Sequence, residues 1–284
     1  MNNIRICFVI LHYKTADDTI KCIESIRQLD KQVHIVVVDN ASGNGSIEKV
    51  EERFKETKEI YYVKNKENLG FASGNNAGYG YARDVLKDNM IAVLNNDIII
   101  DDKDFITKVE EIYSKDGFYV AGPDIESSVD QGHQSPMNIG EGTKKSLTKA
   151  ILRYRILYIL SKLGIYDMLR KIRGKGNDIG KKHTIRYKEK QINAVLHGAF
   201  VIFSPDFVKK EKISFRKGTF LYLEENILYR YCMSHNYKMV YTPELHVLHK
   251  EDSSTSSMFN SDRKKREFVF KNMIKSLKVY RKYV

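Results

Sequence analysis

Asn95-Asn96-Asp97 is a short polar step between two apolar runs, Ile91–Leu94 and Ile98–Ile100. A carboxylate there can hold a divalent cation against phosphate oxygens, because hard cations prefer oxygen ligands. The same residues can equally cap the turn that follows a strand. Asp39, after the apolar run Val33–Val38, has the type and place to accept hydrogen bonds from a ribose or a base, or to close the turn Asp39-Asn40-Ala41-Ser42. Glu224 and Glu225 adjoin one another inside Phe220-Leu-Tyr-Leu-Glu-Glu-Asn-Ile227. Paired carboxylates among apolar neighbours favour a raised pKa and general-base chemistry. Stabilisation by a helix dipole is the competing explanation. His249 has the type of a metal ligand, although a lone histidine is more often structural, and His246 and His197 carry the same ambiguity.

These side chains need elements to position them. Arg5–Leu11 reads as a buried strand ending in His12-Tyr13-Lys14, and Ile20, Ile23, Ile26 and Leu29 recur at helical spacing after it. Val33–Val38 is a second strand, Ser46–Lys55 a helix and Ile60–Val63 a third strand. The glycine-containing stretch Asn65–Asn76 reads as a strand-to-helix loop, with helical spacing from Ala77 leading to the strand at Ile91. Gly70 and Gly74 permit close backbone approach, and a helix start beside them welcomes phosphate. Neither GxGxxG nor a Walker lysine is present, so dinucleotide and P-loop readings fail. The alternation predicts a parallel α/β sheet with right-handed crossovers. Ligands of such sheets lie beyond the strands' carboxyl ends, where His12-Tyr13, Asp39-Asn40 and Asn95–Asp97 would converge.

After Asp124 the pattern changes. Residues 126–142 have a loop composition. Lys144–Lys175 is basic and apolar together, with a stripe of Leu152, Ile156, Ile159, Leu160 and Leu163 flanked by Arg153, Arg155 and Lys162. That stripe predicts either attachment to an anionic membrane or an ordinary helix packed on the core. Gly174–Lys182 reads as a loop, Ile192–Phe203 as strand, Leu223–Met233 as helix, Lys238–Tyr241 as strand and the tail from Arg263 as a basic amphipathic helix.

The 284 residues carry 48 Lys plus Arg against 36 Asp plus Glu, a formal charge of +12, which favours an acidic partner: nucleic acid, anionic lipid or a phosphate-bearing substrate. Three scattered cysteines, Cys7, Cys22 and Cys232, suit a reducing compartment. The first apolar run, Ile6–Leu11, is strand-length with no small-residue cleavage site after it, and no run approaches the ~18 apolar residues of a membrane span. A cytoplasmic protein is expected.

In order, Val9-Ile-Leu-His-Tyr-Lys-Thr-Ala-Asp17, Val36-Val-Val-Asp-Asn-Ala-Ser42, Glu67-Asn-Leu-Gly-Phe-Ala-Ser-Gly-Asn-Asn-Ala-Gly78, Leu94–Asp97, His197-Gly-Ala199, Phe220–Glu225 and the His249 segment resemble the inverting glycosyltransferases of family 2. The resemblance is close over Ile4–Ile125 and looser over Ile192–Ser254. The Asn-Leu-Gly-Phe-Ala block resembles the rhamnosyltransferase-like branch of bacterial polysaccharide assembly. The resemblance implies a GT-A fold: a Rossmann-like, mostly parallel central sheet flanked by helices, with a smaller acceptor-side region. It also implies residue roles. His12, Tyr13, Asp39, Asn68, Gly70, Asn75, Asn95 and Asn96 would bind the nucleotide-sugar, with Asp39 on the base. Asp97 and His249 would hold Mg²⁺ or Mn²⁺, Glu225 (or Glu224) would be the catalytic base, and His197-Gly198 would line the acceptor side. Two departures stand out: Asn95 replaces the first carboxylate of the DxD-type motif, and Glu225 stands where Asp is usual.

The expected organisation is a nucleotide-sugar half over 1–125, a basic insertion over 126–191, an acceptor half of the same domain over 192–262, and a terminal helix over 263–284. The expected reaction moves a sugar, rhamnose from dTDP-rhamnose first and a UDP-hexose second, onto a saccharide acceptor with a lipid link, at the inner face of the cell membrane. A sugar nucleotidyltransferase would need a glycine-rich basic loop after the first strand, which His12–Asp17 is not. A nucleic-acid-binding protein would leave the carboxylates unexplained, so no nucleic-acid partner is expected.

Overall fold

A computed structural model describes residues 4–137, 142–172, 187–251 and 261–284. The first half follows from its apolar runs. Strands β1 (Ile6–His12), β2 (His34–Asp39), β3 (Ile60–Lys64) and β4 (Met90–Asn95) are parallel, in the order β3-β2-β1-β4. Helices α1 (Ala16–Ile26), α2 (Ser46–Arg53) and α3 (Gly70–Tyr81), the last extended by a π-helical turn over Ala82–Leu86, connect them. Cys7–Ile10, Val36–Val38 and Ile91–Val93 are almost wholly buried, as strands covered on both faces must be.

The second half departs from a parallel sheet. β4 is followed on the sheet path by β8 (Phe200–Phe203), β6 (Val120–Ser127), β9 (Met239–His249) and β5 (Ile98–Ile99). β8 is antiparallel to both β4 and β6, whereas β6 and β9 run parallel. The expected strand over Ile192–Phe203 is in fact two pieces, β7 (Gln191–Ile192) on β9 and β8 on β4, separated by the turn that carries His197-Gly198. The residues read as a strand near Lys238–Tyr241 followed by His246–His249 form one long β9, with a register shift between Pro123 and Asp124 absorbing Pro243–Leu245. The two apolar runs around Asn95–Asp97 are not one strand: β5 turns away from β4 and pairs with the end of β9, Ile98 opposite His249. That turn is what brings Asp97 to His249.

The helix expected from Ala77 begins instead at Gly70, seven residues earlier. Asn68 Oδ1 accepts the Gly70 amide at 2.9 Å, satisfying one of the donors a helix start leaves over. The glycine-rich stretch is therefore the first two turns of α3, whose small residues let it lie against the sheet. A Cβ at Gly78 would stand 2.4 Å from Val9 Cγ1 and 2.5 Å from Val38 Cγ2.

Helices α4 (Phe105–Asp116), α7 (Pro205–Lys210) and α8 (Glu224–Ser234) complete the central layers, and α5 (Lys144–Lys162), α6 (Ile165–Ile172) and α9 (Asp262–Tyr280) form a separate helical layer. Its small core joins Leu147 and Ile151 of α5 to Leu277 and Tyr280 of α9 and Ile227 of α8. The loop expected over Gly174–Lys182 lies outside the described residues, as do Asp252–Ser254. No helix among the described residues is long and apolar enough to cross a membrane.

Gly78→Ala should lower stability by about 1–3 kcal/mol through overpacking. Gly80→Ala, on the same helix with nothing within 4 Å of the added carbon, should raise stability by about 0.5–1 kcal/mol. Urea midpoints with unchanged m-values check both; equal shifts would contradict this placement of α3.

Candidate active site

A crevice opens at the carboxyl ends of β1, β2 and β4. Leu11, Tyr13, Asn40, Asn68, Gly70, Phe71, Asn95, Asn96, Asp97, Phe220 and Leu221 line it. Six of the residues expected to bind donor or metal are therefore together: Tyr13, Asn68, Gly70, Asn95, Asn96 and Asp97. The backbone beside the crevice is strained. Lys14 (φ 68°) and Ala41 (φ 58°) follow β1 and β2 in left-handed conformations, and Tyr222 (φ 78°) and Leu223 (φ 69°) do so consecutively before α8. Left-handed non-glycine residues each cost of order 1–3 kcal/mol and cluster at functional sites. Here the pair at Tyr222-Leu223 turns the chain so that Glu224 and Glu225 open α8.

Four expectations are corrected or relocated. His12 does not line the crevice. It is fully buried, with Nδ1 2.7 Å from Thr19 Oγ1 and Nε2 2.8 Å from Ser46 Oγ. Thr19 gives its hydroxyl proton to the Thr15 carbonyl and so accepts at Oγ1 from His12 Nδ1 and from Asn96 Nδ2, at 2.9 Å. Burial pushes the His12 pKa down, so the neutral ring ties β1 to α1 and α2. Asp39 is buried beside the crevice next to the lining residue Asn40, and its Oδ1 accepts the Ser42 amide at 3.1 Å, closing the turn. Asn75 is buried within α3, with neither amide atom hydrogen-bonded among the described residues. Asn96 lines the crevice, but its Nδ2 is committed to Thr15 and Thr19.

Asn40, which the sequence placed at the converging strand ends without a role of its own, lines the crevice and organises it. Its Oδ1 accepts from Asn65 Nδ2 (3.2 Å) and from the Leu69 amide (3.0 Å), while its Nδ2 donates to Asn68 Oδ1 (3.0 Å) and the Gly70 carbonyl (3.2 Å). One side chain thus fastens the end of β2 to the start of α3. The available signal was its chemistry: an amide beside Asp39 offers both donor and acceptor to a glycine-rich loop.

Gly70 fixes the opposite wall. It has φ +76°, a Cβ there would lie 2.3 Å from the Phe220 carbonyl oxygen, and the Phe71 amide donates to that same oxygen at 2.8 Å. The backbone contact holds Phe220-Leu221 across from β1 and β4.

On one side of the crevice Asp97 meets His249. Asp97 Oδ1 accepts no hydrogen bond among the described residues and lies 3.2 Å from His249 Nε2. The other ring nitrogen, Nδ1, is 2.8 Å from Gln134 Oε1. Gln134 Nε2 donates to the Glu251 carboxylate, which sets the amide's orientation and leaves Oε1 as acceptor for His249 Nδ1–H. With the proton on Nδ1, a lone pair on Nε2 and a carboxylate oxygen converge without a proton between them. That donor set fits a divalent cation, and a second hydrogen bond to the far nitrogen is the usual support of a metal-binding histidine. No group of three or more His, Cys, Asp or Glu with metal-holding geometry occurs among the described residues, so remaining positions on a cation would fall to ligand oxygens or water.

Beside Phe71 stand Gly198 and the two glutamates. The Gly198 amide and Glu225's own amide donate to the Glu225 carboxylate, while burial, the larger effect, pushes its pKa up. A Cβ on Gly198 would lie 2.6 Å from Glu225 Oε1 and 3.3 Å from Phe71 Cζ. Glu224 is 4% exposed: burial first, then repulsion from Glu225, raises it to about 7, and its Oε1 has no hydrogen-bond partner among the described residues. His197 lies 6.1 Å, ring to ring, from His249; burial and that neighbour push its pKa down to about 4, so it is neutral at pH 7.

Gly198→Ala should displace the Glu225 carboxylate and lower turnover at least tenfold with little change in donor binding, read as a kcat effect; an unchanged kcat would mean that Glu225 is not held there for chemistry. Glu224 also makes stability depend on pH. Its folded pKa of about 7 exceeds its ordinary 4.5, so its contribution is complete below pH 4.5 and is lost as pH rises through 7. Wild type should therefore lose about 1–3 kcal/mol relative to Glu224→Gln between about pH 5 and 8, and parallel unfolding curves would contradict a buried Glu224 with a raised pKa.

With the geometry in place, comparison with known proteins gives the family. Residues 7–168 match glycosyl transferase family 2. No curated protein sequence matches the chain. Among solved structures, Staphylococcus aureus TarS 1-349 in complex with UDP-GlcNAc is similar at 14% identity and TM-score 0.56, over 91% of this chain and 62% of that one. The mannosyltransferase PcManGT from Pyrobaculum calidifontis, in complex with GDP-Man and Mn²⁺, is similar at 12% identity and TM-score 0.54, over 89% and 59%. GalNAc-T7 with UDP, GalNAc and Mn²⁺ is similar at 14% identity and TM-score 0.61, over 88% and 44%. The chain spans less than two thirds of the length of these proteins, and at such identities the likeness establishes the GT-A fold. More than half of the chain, including nearly all of β1–β4 and most of the crevice lining, lies inside the family match, and the chain belongs to glycosyl transferase family 2.

Proposed function

We propose that the protein transfers a sugar from a nucleotide-sugar to a saccharide acceptor with inversion at the anomeric carbon, in the assembly of a cell-surface polysaccharide. The observation that carries this reading is a carboxylate site on the crevice lining with a second one behind it: Asp97 lines the crevice and meets His249, and Glu225, outside that lining, is held on the Gly198 amide next to the lining residue Phe71. One suits a leaving diphosphate and the other an incoming hydroxyl. The solved relatives bound to UDP-GlcNAc, UDP or GDP-Man support a nucleotide-sugar donor.

In this mechanism Tyr13, Asn68 and Gly70 contact the nucleotide-sugar, Asp39 behind the β2 turn orders the wall facing the base, and Asn95 faces the sugar. Asp97 and His249 would hold Mg²⁺ or Mn²⁺, which supplies charge neutralisation at the diphosphate when bound. Glu225 takes the proton from the acceptor hydroxyl as its oxygen attacks the anomeric carbon. The bond to the phosphate oxygen breaks in the same displacement, its electron pair leaving with the nucleoside diphosphate. Burial suits Glu225 to this task by raising its proton affinity. Glu224 would hold its neighbour in place, and His197-Gly198 would border the acceptor. Rhamnose from dTDP-rhamnose is the first donor to test and UDP-hexoses the second; a lipid-linked acceptor at the cytoplasmic face of the membrane completes the reading.

A donor screen following nucleoside diphosphate release, with Mg²⁺, Mn²⁺ or EDTA, tests it. EDTA should abolish turnover, and EDTA-insensitive turnover would remove the Asp97–His249 metal site. Glu225→Gln should lower transfer by about 10²–10⁴ while donor binding is kept; full activity in that variant would remove Glu225 as the base.

A further inference from the structure

Helix α5 has two apolar faces, and among the described residues only one is covered. Leu147 and Ile151 pack against α9, with Tyr154 against Phe270, 5.9 Å between ring centroids. Four of the five residues in the stripe expected to face either the core or a membrane are on the other side, Leu152 57% exposed, Ile156 50%, Ile159 55% and Leu163 65%, while Leu160 is half-buried. At 100° per residue these four fall within about 60° of one another, opposite the covered face. Met168 and Leu169 of α6 are exposed as well. Six of the nine exposed large hydrophobic residues among those described therefore belong to these two adjacent helices. Such clustering is uncommon on a soluble surface without a partner.

The charges say which partner. Helix α5 contains no Asp or Glu, and Lys145, Lys149 and Arg155 are exposed within about 60° of the stripe's centre, with Arg153 further round. The acid of α6, Asp167, is engaged by Arg266 at 2.8 Å. An apolar stripe bordered by cations alone matches a lipid surface with anionic headgroups, where the side chains enter the acyl boundary and the cations meet phosphate. A second copy of this chain would bring the same cations face to face.

We infer that the exposed α5 stripe, Leu152, Ile156, Ile159 and Leu163 with Lys145, Lys149 and Arg155, docks the protein on an anionic membrane surface. The layer behind it leads to the crevice: Ser276 of α9 donates to the Leu221 carbonyl at 2.8 Å, and Phe268 packs edge-on against Phe220, 5.8 Å between centroids. Phe220 and Leu221 are crevice wall. Docking through α5 would thus set that wall over the membrane, within reach of a lipid-linked acceptor. This consequence for the acceptor rests on the glycosyltransfer reading; the surface itself does not.

The test is sedimentation of the full chain with vesicles of phosphatidylcholine alone or with phosphatidylglycerol, beside sedimentation velocity without lipid. Binding should be at least tenfold stronger to the anionic vesicles. It should fall at least tenfold in Leu152→Ser/Ile156→Ser/Leu163→Ser and in Lys145→Glu/Lys149→Glu/Arg155→Glu, both with wild-type circular dichroism and wild-type nucleoside diphosphate release. Equal binding to both vesicles, no binding, or a dimer that either triple variant converts to monomer would overturn the inference. Loss of donor turnover with vesicle binding intact would instead overturn the function proposed above and leave the docking surface standing.

Discussion

The site depends first on satisfying buried polar groups at the carboxyl ends of β1, β2 and β4. A sheet covered on both faces leaves no water to do this, so side chains do it for one another. Asn96, Thr19, His12 and Ser46 form one hydrogen-bonded series joining the β4–β5 turn to α1, β1 and α2. Asn40 joins β2 to the start of α3 through four bonds. Each strand end is thereby fixed relative to the others before any ligand arrives, and Asp97 inherits its position from that arrangement. Within such a network, loss of one member leaves its partners buried and unpaired, which costs more than the bond itself contributed.

The opposite wall has a different origin. Phe220-Leu221 is held by backbone contact with Gly70-Phe71 and by α9 through Ser276. The strained residues Tyr222 and Leu223 then turn the chain into α8. Burial raises the pKa of both carboxylates that follow: Glu225 accepts the Gly198 amide and its own, while Glu224, raised further by its neighbour, accepts its own amide and keeps an oxygen with no partner among the described residues.

Much of this was legible in the sequence where local pattern governs. The buried runs of β1, β2 and β4 announce themselves, and a parallel sheet then places their ends together. What misled was the two-residue period of a strand. Leu11 and Tyr13 share the crevice face, which sends His12 to the other side; Asn40 likewise faces the crevice while Asp39 turns back to Ser42. Residue type drew attention to His12 and Asp39, and alternation turned His12 away from the crevice and put Asn40 rather than Asp39 on its lining. The second half was less legible because its pairings are non-local: β8 inserts between β4 and β6, and nothing near Gly198 in sequence says that it must leave room for Glu225. The α5 stripe was legible as a pattern, but only packing could say that its apolar residues face outward while the opposite side meets α9.

The central claim, that the crevice is the nucleotide-sugar site, is tested most directly by amide hydrogen exchange with and without a nucleoside diphosphate, dTDP or UDP, in the presence of Mn²⁺. The account predicts slowed exchange in three separated stretches, 40–42, 68–72 and 96–98, together with 220–222 across the crevice. Protection confined to other parts of the chain, or protection at 68–72 without 96–98, would contradict it.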